Sequence, residues 1–359
     1  METSTFFCVD CPTDDISTDY LNVTDNMSYY DFPNSDNMLQ TVASMFIKYV
    51  TPTDVFVGLV ANIVSILVFA GKDLRKLSSS VYVLSVLSAD IGLLLTMSFQ
   101  WLETLGYKFT HKPVICQLYV YFQYVFSFLS VWYMVCITVE NYITICHPMR
   151  IRTLCTLTRA RGVAISLLIA ALVIYMFYIF STHVATTAYS NIPMCQPKPS
   201  WGTFMKIFTL VDTVLTLLLP FLAMVFMLVA IVCAIVTSLR KRRKRTTREN
   251  QRTSSSCPQV RVAKMLFALS FTYLLLNIPV HSVRLYALTV DILGCTPNSS
   301  MLLSFIQLIF EQVSFINFYV KFFLFFAFSA NFRKGVFGGG CRRCRVYAPV
   351  SQTTEGTKV

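Results

Sequence analysis

A few ionisable or amide side chains stand inside long apolar runs, among them Asp90, Asp212, His281, Arg284, Gln307, Glu311 and Lys321. Their types suit ion pairing and recognition of a charged ligand rather than bond-breaking. The four histidines, at 111, 147, 183 and 281, have no metal-ligand spacing, and no nucleophile–base motif occurs. No enzymatic activity, cofactor or metal is therefore expected. Lys321 is the most unusual of these residues. A lysine deep in a bilayer costs on the order of 3 kcal/mol or more unless it is paired or wetted. Asn317 precedes it by four residues, so the two share one helical face. A second chemically distinct stretch is VENYITICHPM, residues 139–149, where an apolar run meets a basic loop.

These residues need elements to hold them. The chain is 55% hydrophobic and only 13% charged, too few charges to cover a soluble globule of 359 residues. A bilayer-spanning helix needs roughly 20 mostly apolar residues. Seven stretches qualify, near 54–74, 80–103, 114–146, 160–182, 204–237, 260–289 and 301–328. Each must be helical, since the bilayer offers no water to exposed backbone groups. The predicted fold is an all-α membrane protein, a seven-transmembrane helix bundle over 51–328. The bundle is preceded by an acidic tail over 1–50 and followed by a short amphipathic eighth helix at 329–340 and a tail at 341–359.

The net charge of +12 raises nucleic acid as a partner, but its distribution argues against it. Of the 30 Lys and Arg, 23 fall in segments 71–78, 146–161, 238–264 and 327–359, which are alternate loops and the C-terminal tail. Residues 1–53 hold one, Lys48, beside eight acidic residues. The positive-inside rule then places the N-terminus outside and the C-terminus in the cytosol of a multi-pass plasma-membrane protein. No cleavable signal peptide is evident. The sequons at Asn22, Asn26 and Asn298 all fall on the side read as extracellular. The acidic tail either solubilises or steers a cationic ligand. The run RKRRKR at 240–245 anchors topology and can meet anionic lipid or a cytosolic partner. Cys8, Cys11, Cys116, Cys195 and Cys295 face the oxidising side, whereas Cys341 and Cys344, in GGGCRRCR, are palmitoylation candidates.

The chain over about 50–340 resembles the rhodopsin-like G-protein-coupled receptors. Asn62 in GLVANIVSILVF and Asp90 in LSVLSAD match landmark polar residues of the first two helices. Cys116 stands 25 residues before Asn141, the family spacing between its disulfide cysteine and its third-helix arginine. The resemblance implies pairing of Cys116 with Cys195. His147-Pro148-Met149 is similar to the loop that follows, Pro220 and Pro279 to the kink prolines, and Asn331-Phe332-Arg333 to the start of the eighth helix.

Several positions depart from the family pattern. Asn141 replaces the arginine between Glu140 and Tyr142. Asn277 replaces the sixth-helix tryptophan, and Leu228 and Phe325 replace two tyrosines. Lys321 stands where the family has an asparagine. It is not the retinal lysine of opsins, whose register position is Phe315. The resemblance instead places Asp90, Ser130, Asn317 and Lys321 at the family's sodium pocket, so Lys321 is expected to be a built-in cation paired with Asp90. Snorkelling of Lys321 to the cytosolic side is the alternative.

The position that holds an amine-binding aspartate in relatives is Gln123, which argues against a biogenic amine. By family register, Asp212, Arg284 and Glu311 face a central pocket, with His281 and Gln307 in the same outer halves. Charges of both signs imply an extracellular peptide ligand, neuropeptide-like. Arg284 either reads the ligand or bridges Asp212 or Glu311. The implied activity is opening of the fifth and sixth helices at their cytosolic ends to a heterotrimeric G protein. Glu140, Asn141, Tyr142, Met149 and Arg333 are expected on that docking rim. A scavenging receptor with weak coupling is the alternative, and a channel or transporter a further one.

Overall fold

The computed structural model describes residues 37–71, 77–187, 190–246, 258–292 and 300–337. The sequons at Asn22, Asn26 and Asn298, and Cys8, Cys11, Cys295, Cys341 and Cys344, lie outside the described residues. Among the described residues seven helical segments are long and apolar enough to cross a membrane.

Helix α1 runs through Asn37–Met45, a π-helical turn Phe46–Val50, and Thr51–Phe69. It starts well before residue 54 and takes in part of the stretch read as a tail. An amphipathic first turn holds too few apolar residues to register by hydropathy. The π turn lies just before and across the reach of Pro52, which has no N–H for the carbonyl four residues back. Helix α2 spans Ser78–Thr104 and α3 spans Pro113–Cys146. Helix α4 joins Leu157–Ile174 to Phe177–Ser181. Helix α5 joins Gly202–Thr213 to Leu219–Thr246 through a second π turn, Val214–Leu218, ahead of Pro220. Helix α6 is Pro258–Ile292, with Pro279 inside it. Helix α7 joins Ser300–Phe315 to Asn317–Phe328, and α8 is Ala330–Phe337.

Helix α3 is the central post, packed on α2, α4, α5 and α6, while α1 packs on α2 and α7. Helix α4 turns Ala160, Ala164 and Ala171 inward. Those small residues admit the α3 tyrosines, whose hydroxyls reach its carbonyls: Tyr133 to Ala164 at 3.0 Å and Tyr121 to Leu172 at 3.1 Å. Asn62 Nδ2 donates to the carbonyls of Gly58 at 2.8 Å and Phe318 at 3.0 Å, tying α1 to α7. Phe69, Phe325 and Phe332 cluster where α1, α7 and α8 meet.

Between α4 and α5 an antiparallel hairpin forms, β1 Thr182–Thr187 with β2 Ser190–Pro197. Its β-branched residues fit a strand, but the stretch reads from the sequence only as a loop. Cys195 of β2 is disulfide-bonded to Cys116 at the start of α3. This end is called the disulfide end below, and the other the basic end.

Candidate functional site

Six predicted residues converge at the disulfide end. Gln123 comes from α3, Asp212 from α5, His281 and Arg284 from α6, and Gln307 and Glu311 from α7, and all line one cavity of about 400 Å³. Arg284 Nη2 and Glu311 Oε1 pair at 3.2 Å, with the Arg284 side chain 47% exposed and the Glu311 side chain 5%. Gln307 Nε2 donates to the same oxygen at 3.1 Å. Glu311 is thus a buried acceptor served by two donors, one of them open to the cavity. Of the two bridges left open by the sequence, Arg284 takes Glu311. Asp212 Oδ1 instead accepts from the Tyr175 hydroxyl. His281 Nδ1 is buried without a hydrogen-bond partner among the described residues, and its ring meets Phe221 edge-on at 6.1 Å.

Several lining residues were missed from the sequence. Glu103 of α2 accepts from the Thr110 N–H at 2.9 Å and from its hydroxyl. Tyr124 and Tyr178 stack at 4.1 Å and, with Tyr175, form an aromatic wall. Tyrosine is frequent all along the chain, so these three carried no distinguishing signal.

Midway along the bundle, Lys321 and Asp90 form an ion pair, their side chains 3% and 0% exposed. Ser130 Oγ donates to the other Asp90 oxygen at 2.7 Å. Asn317, also buried, does not join: its Nδ2 lacks a hydrogen-bond partner among the described residues.

At the basic end Glu140 and Asn141, expected on the docking rim, are buried, 7% and 0% exposed. Helix α3 is central here too, so this face meets α2 and α6 rather than solvent. Ser78 of α2 donates its hydroxyl to Glu140, and among the described residues no Lys or Arg pairs with that carboxylate. The Asn141 carboxamide, oriented by its partners, donates from Nδ2 to the Ala263 carbonyl at 3.0 Å and accepts at Oδ1 from the Phe267 N–H at 3.1 Å. Tyr142 is half-buried beside His147, whose Nε2 lies 3.4 Å from its hydroxyl. Arg333 donates to the Phe326 and Ala327 carbonyls, both at 2.8 Å, satisfying the end of α7. Met149 is 93% exposed. Leu228 and Phe325, in the positions of family tyrosines, are buried core residues. Among the described residues no group of three or more His, Cys, Asp or Glu is placed to hold a metal ion.

Seven spans around a cavity lined by charges of both signs, with a disulfide-tied hairpin beside it, define a seven-helix membrane protein. Residues 61–326 match the 7 transmembrane receptor (rhodopsin family), and the chain belongs to that family, whose members are signalling receptors rather than enzymes. The thyrotropin-releasing hormone receptor of Gallus gallus is 27% identical over 154 residues, 42% of this chain and 39% of its own length. G-protein coupled receptor 182 of Mus musculus is 28% identical over 203 residues, 53% of this chain and 47% of its own length. Lysophosphatidic acid receptor 6 of Gallus gallus is 28% identical over 115 residues, 32% of this chain and 37% of its own length. The chain spans less than half the length of each of these relatives.

Proposed function

We propose that the chain is a cell-surface receptor for an extracellular peptide. The disulfide end faces outward, and the basic end meets a heterotrimeric G protein and anionic plasma-membrane lipid in the cytosol. The observation that carries this reading is the convergence of Gln123, Asp212, His281, Arg284, Gln307 and Glu311 on one cavity. The acids Glu103, Asp212 and Glu311 line it and, among the described residues, Arg284 alone of the Lys and Arg residues joins them. A phosphate headgroup favours clustered cations, so this lining argues for a peptide's amine or basic side chain over a lysophospholipid. Among the relatives, the one named for thyrotropin-releasing hormone agrees with a peptide ligand and the one named for lysophosphatidic acid does not.

Binding shifts a closed–open equilibrium toward parting of α5 and α6 at the basic end. Met149 and the 240–245 run supply the docking surface, joined by Glu140, Asn141, Tyr142 and Arg333 as the end opens. Lys321 occupies the cation position of the buried Asp90 pocket, where Ser130 is the further partner of the Asp90 carboxylate and Asn317 precedes Lys321 by four residues.

Peptide libraries applied to cells expressing the chain, read by nucleotide exchange on G proteins, test the reading. Potency of an active peptide should fall at least tenfold in Arg284→Glu, which reverses the charge facing the cavity. Unchanged potency removes Arg284 from the ligand site. A second reading, a scavenging receptor that couples weakly, is favoured by the loss of the third-helix arginine and the burial of Asn141. Ligand uptake without nucleotide exchange would establish it.

A further inference from the structure

We propose that Glu103 is the cavity's receptor for a primary ammonium group of the ligand, an anchoring point apart from the Arg284–Glu311 bridge. The inference rests on the reading that this cavity holds a peptide ligand. The three acids of the lining differ in what already engages them. Glu311 accepts from Arg284 and Gln307, and Asp212 accepts from the Tyr175 hydroxyl. Glu103 accepts from the Thr110 N–H at 2.9 Å and from the Thr110 hydroxyl, both on Oε1. Among the described residues no Lys or Arg pairs with Glu103, and both of its hydrogen bonds fall on that one oxygen. Lys108 and Lys112, on the loop that follows, are exposed and outside the cavity lining.

The end of α2 is an unfavourable place for an acid. Glu103 sits in the last turn of that helix, which contains no basic residue. The carbonyl end of a helix carries negative potential, so a carboxylate there disfavours the helix and attracts a cation. The loop nevertheless holds it in place. Gly106, at φ 94°, ends the helix with a paired cap. Its N–H donates to the Glu103 carbonyl at 2.9 Å, and the Tyr107 N–H donates to the Leu102 carbonyl at 3.1 Å. Phe109 then packs edge-on to Phe99 at 6.3 Å, and Thr110, 5% exposed, folds back onto Glu103. The carboxylate is thereby oriented before a ligand arrives, with Oε1 occupied and Oε2 open. A primary ammonium needs only one oxygen, whereas the guanidinium fork engages two. Gln100, three residues earlier on α2, lines the cavity with it.

The test uses the full chain in lipid nanodiscs with Gln100→Cys as a reporter, labelled by neutral methyl methanethiosulfonate and read at that position by mass spectrometry. n-Butylammonium should slow the labelling. n-Butyltrimethylammonium, with the same tail and charge but no N–H, should not, and n-butylguanidinium should protect less than n-butylammonium. Glu103→Gln removes the charge but keeps an oxygen for Thr110, which guards against a folding failure. Protection by n-butylammonium should then weaken about tenfold, the loss of one charge-assisted hydrogen bond. Equal or absent protection by the two butyl cations, or protection unchanged in Glu103→Gln, overturns the ammonium site. A random peptide library panned on the same nanodiscs, in N-acetylated and free-amine forms, finds the source of the group. Lysine enriched among acetylated peptides identifies a side chain, and enrichment confined to free amines identifies the N-terminus. Enrichment of neither, among peptides that do bind, overturns the site. Protection lost in Glu103→Gln with no peptide recovered supports the site and overturns the peptide reading instead.

Discussion

Lys321 and Asp90 are each a burden alone and tolerable only together. Removing one partner of a buried pair strands a charge, which costs about 3–5 kcal/mol, whereas replacing both can be nearly neutral. Lys321→Ala should therefore lower the thermal unfolding midpoint sharply, and Asp90→Asn/Lys321→Asn should recover most of the loss. Equal destabilisation of the single and double variants would show that the pair is not the reason. The ammonium already occupies one carboxylate oxygen and Ser130 the other. Exchanging sodium chloride for choline chloride should leave peptide affinity unchanged, and a competition assay in the two salts checks this. The pairing of Lys321 was legible because a lysine in an apolar helix demands an anion and the resemblance to the family put Asp90 at the same pocket. The partners of Asn141 were not legible. They are backbone groups of Ala263 and Phe267, which leave no signature in residue type, and they come close only when α3 and α6 pack.

Hydropathy locates helices by their apolar content, so it found every span but misplaced the ends whose signal is weak. The start of α1 at Asn37 rests on an amphipathic turn, and the hairpin at 182–197 rests on register between two short strands. The docking of α8 shows what packing adds to pattern. Phe332 is wholly buried against Phe69 and Phe325, and a Cβ at Gly335 would lie 2.6 Å from Val68 Cγ1. Gly335→Val should push α8 off α1, exposing Phe332 and costing about 1–3 kcal/mol. Faster proteolysis after residue 328 on otherwise folded protein would register this, and Val68→Ala should relieve it. A similar limit holds in α2, where a Cβ at Gly92 would lie 2.5–2.6 Å from the Phe126 ring. Gly92→Ala should lower the unfolding midpoint, with Phe126→Leu as the compensating change.

Across the whole molecule, charge sets the direction and the disulfide marks one face. An epitope placed before residue 37 should be accessible to antibody on intact cells, and one placed after residue 337 only once cells are permeabilised. The reverse pattern would invert the proposed orientation and put the cavity on the wrong side for an extracellular peptide. Mild reduction of Cys116–Cys195 should loosen the hairpin, which contributes Cys195, Gln196 and Pro197 to the cavity lining, and weaken ligand binding. The seven-helix bundle was visible in advance because apolar run length reports it, and the six cavity residues because the resemblance to the family supplied their register. The division of labour inside the cavity was not, since Tyr175 acts through Asp212 on another helix and Glu103 through a turn that folds Thr110 back onto it.

The Arg284–Glu311 bridge turns ligand binding into an exchange. Glu311 is almost sealed while Arg284 stands half open, so a ligand bringing only an anion draws the guanidinium away and leaves a carboxylate with Gln307 as its remaining named donor. A ligand bringing only a cation competes with an arginine already in place. A molecule carrying both charges at the right separation can trade one closed circuit for two. Selectivity then follows from the distance between a ligand's opposite charges rather than from either charge alone, and zwitterionic peptide ends should outrank their singly capped forms in competition.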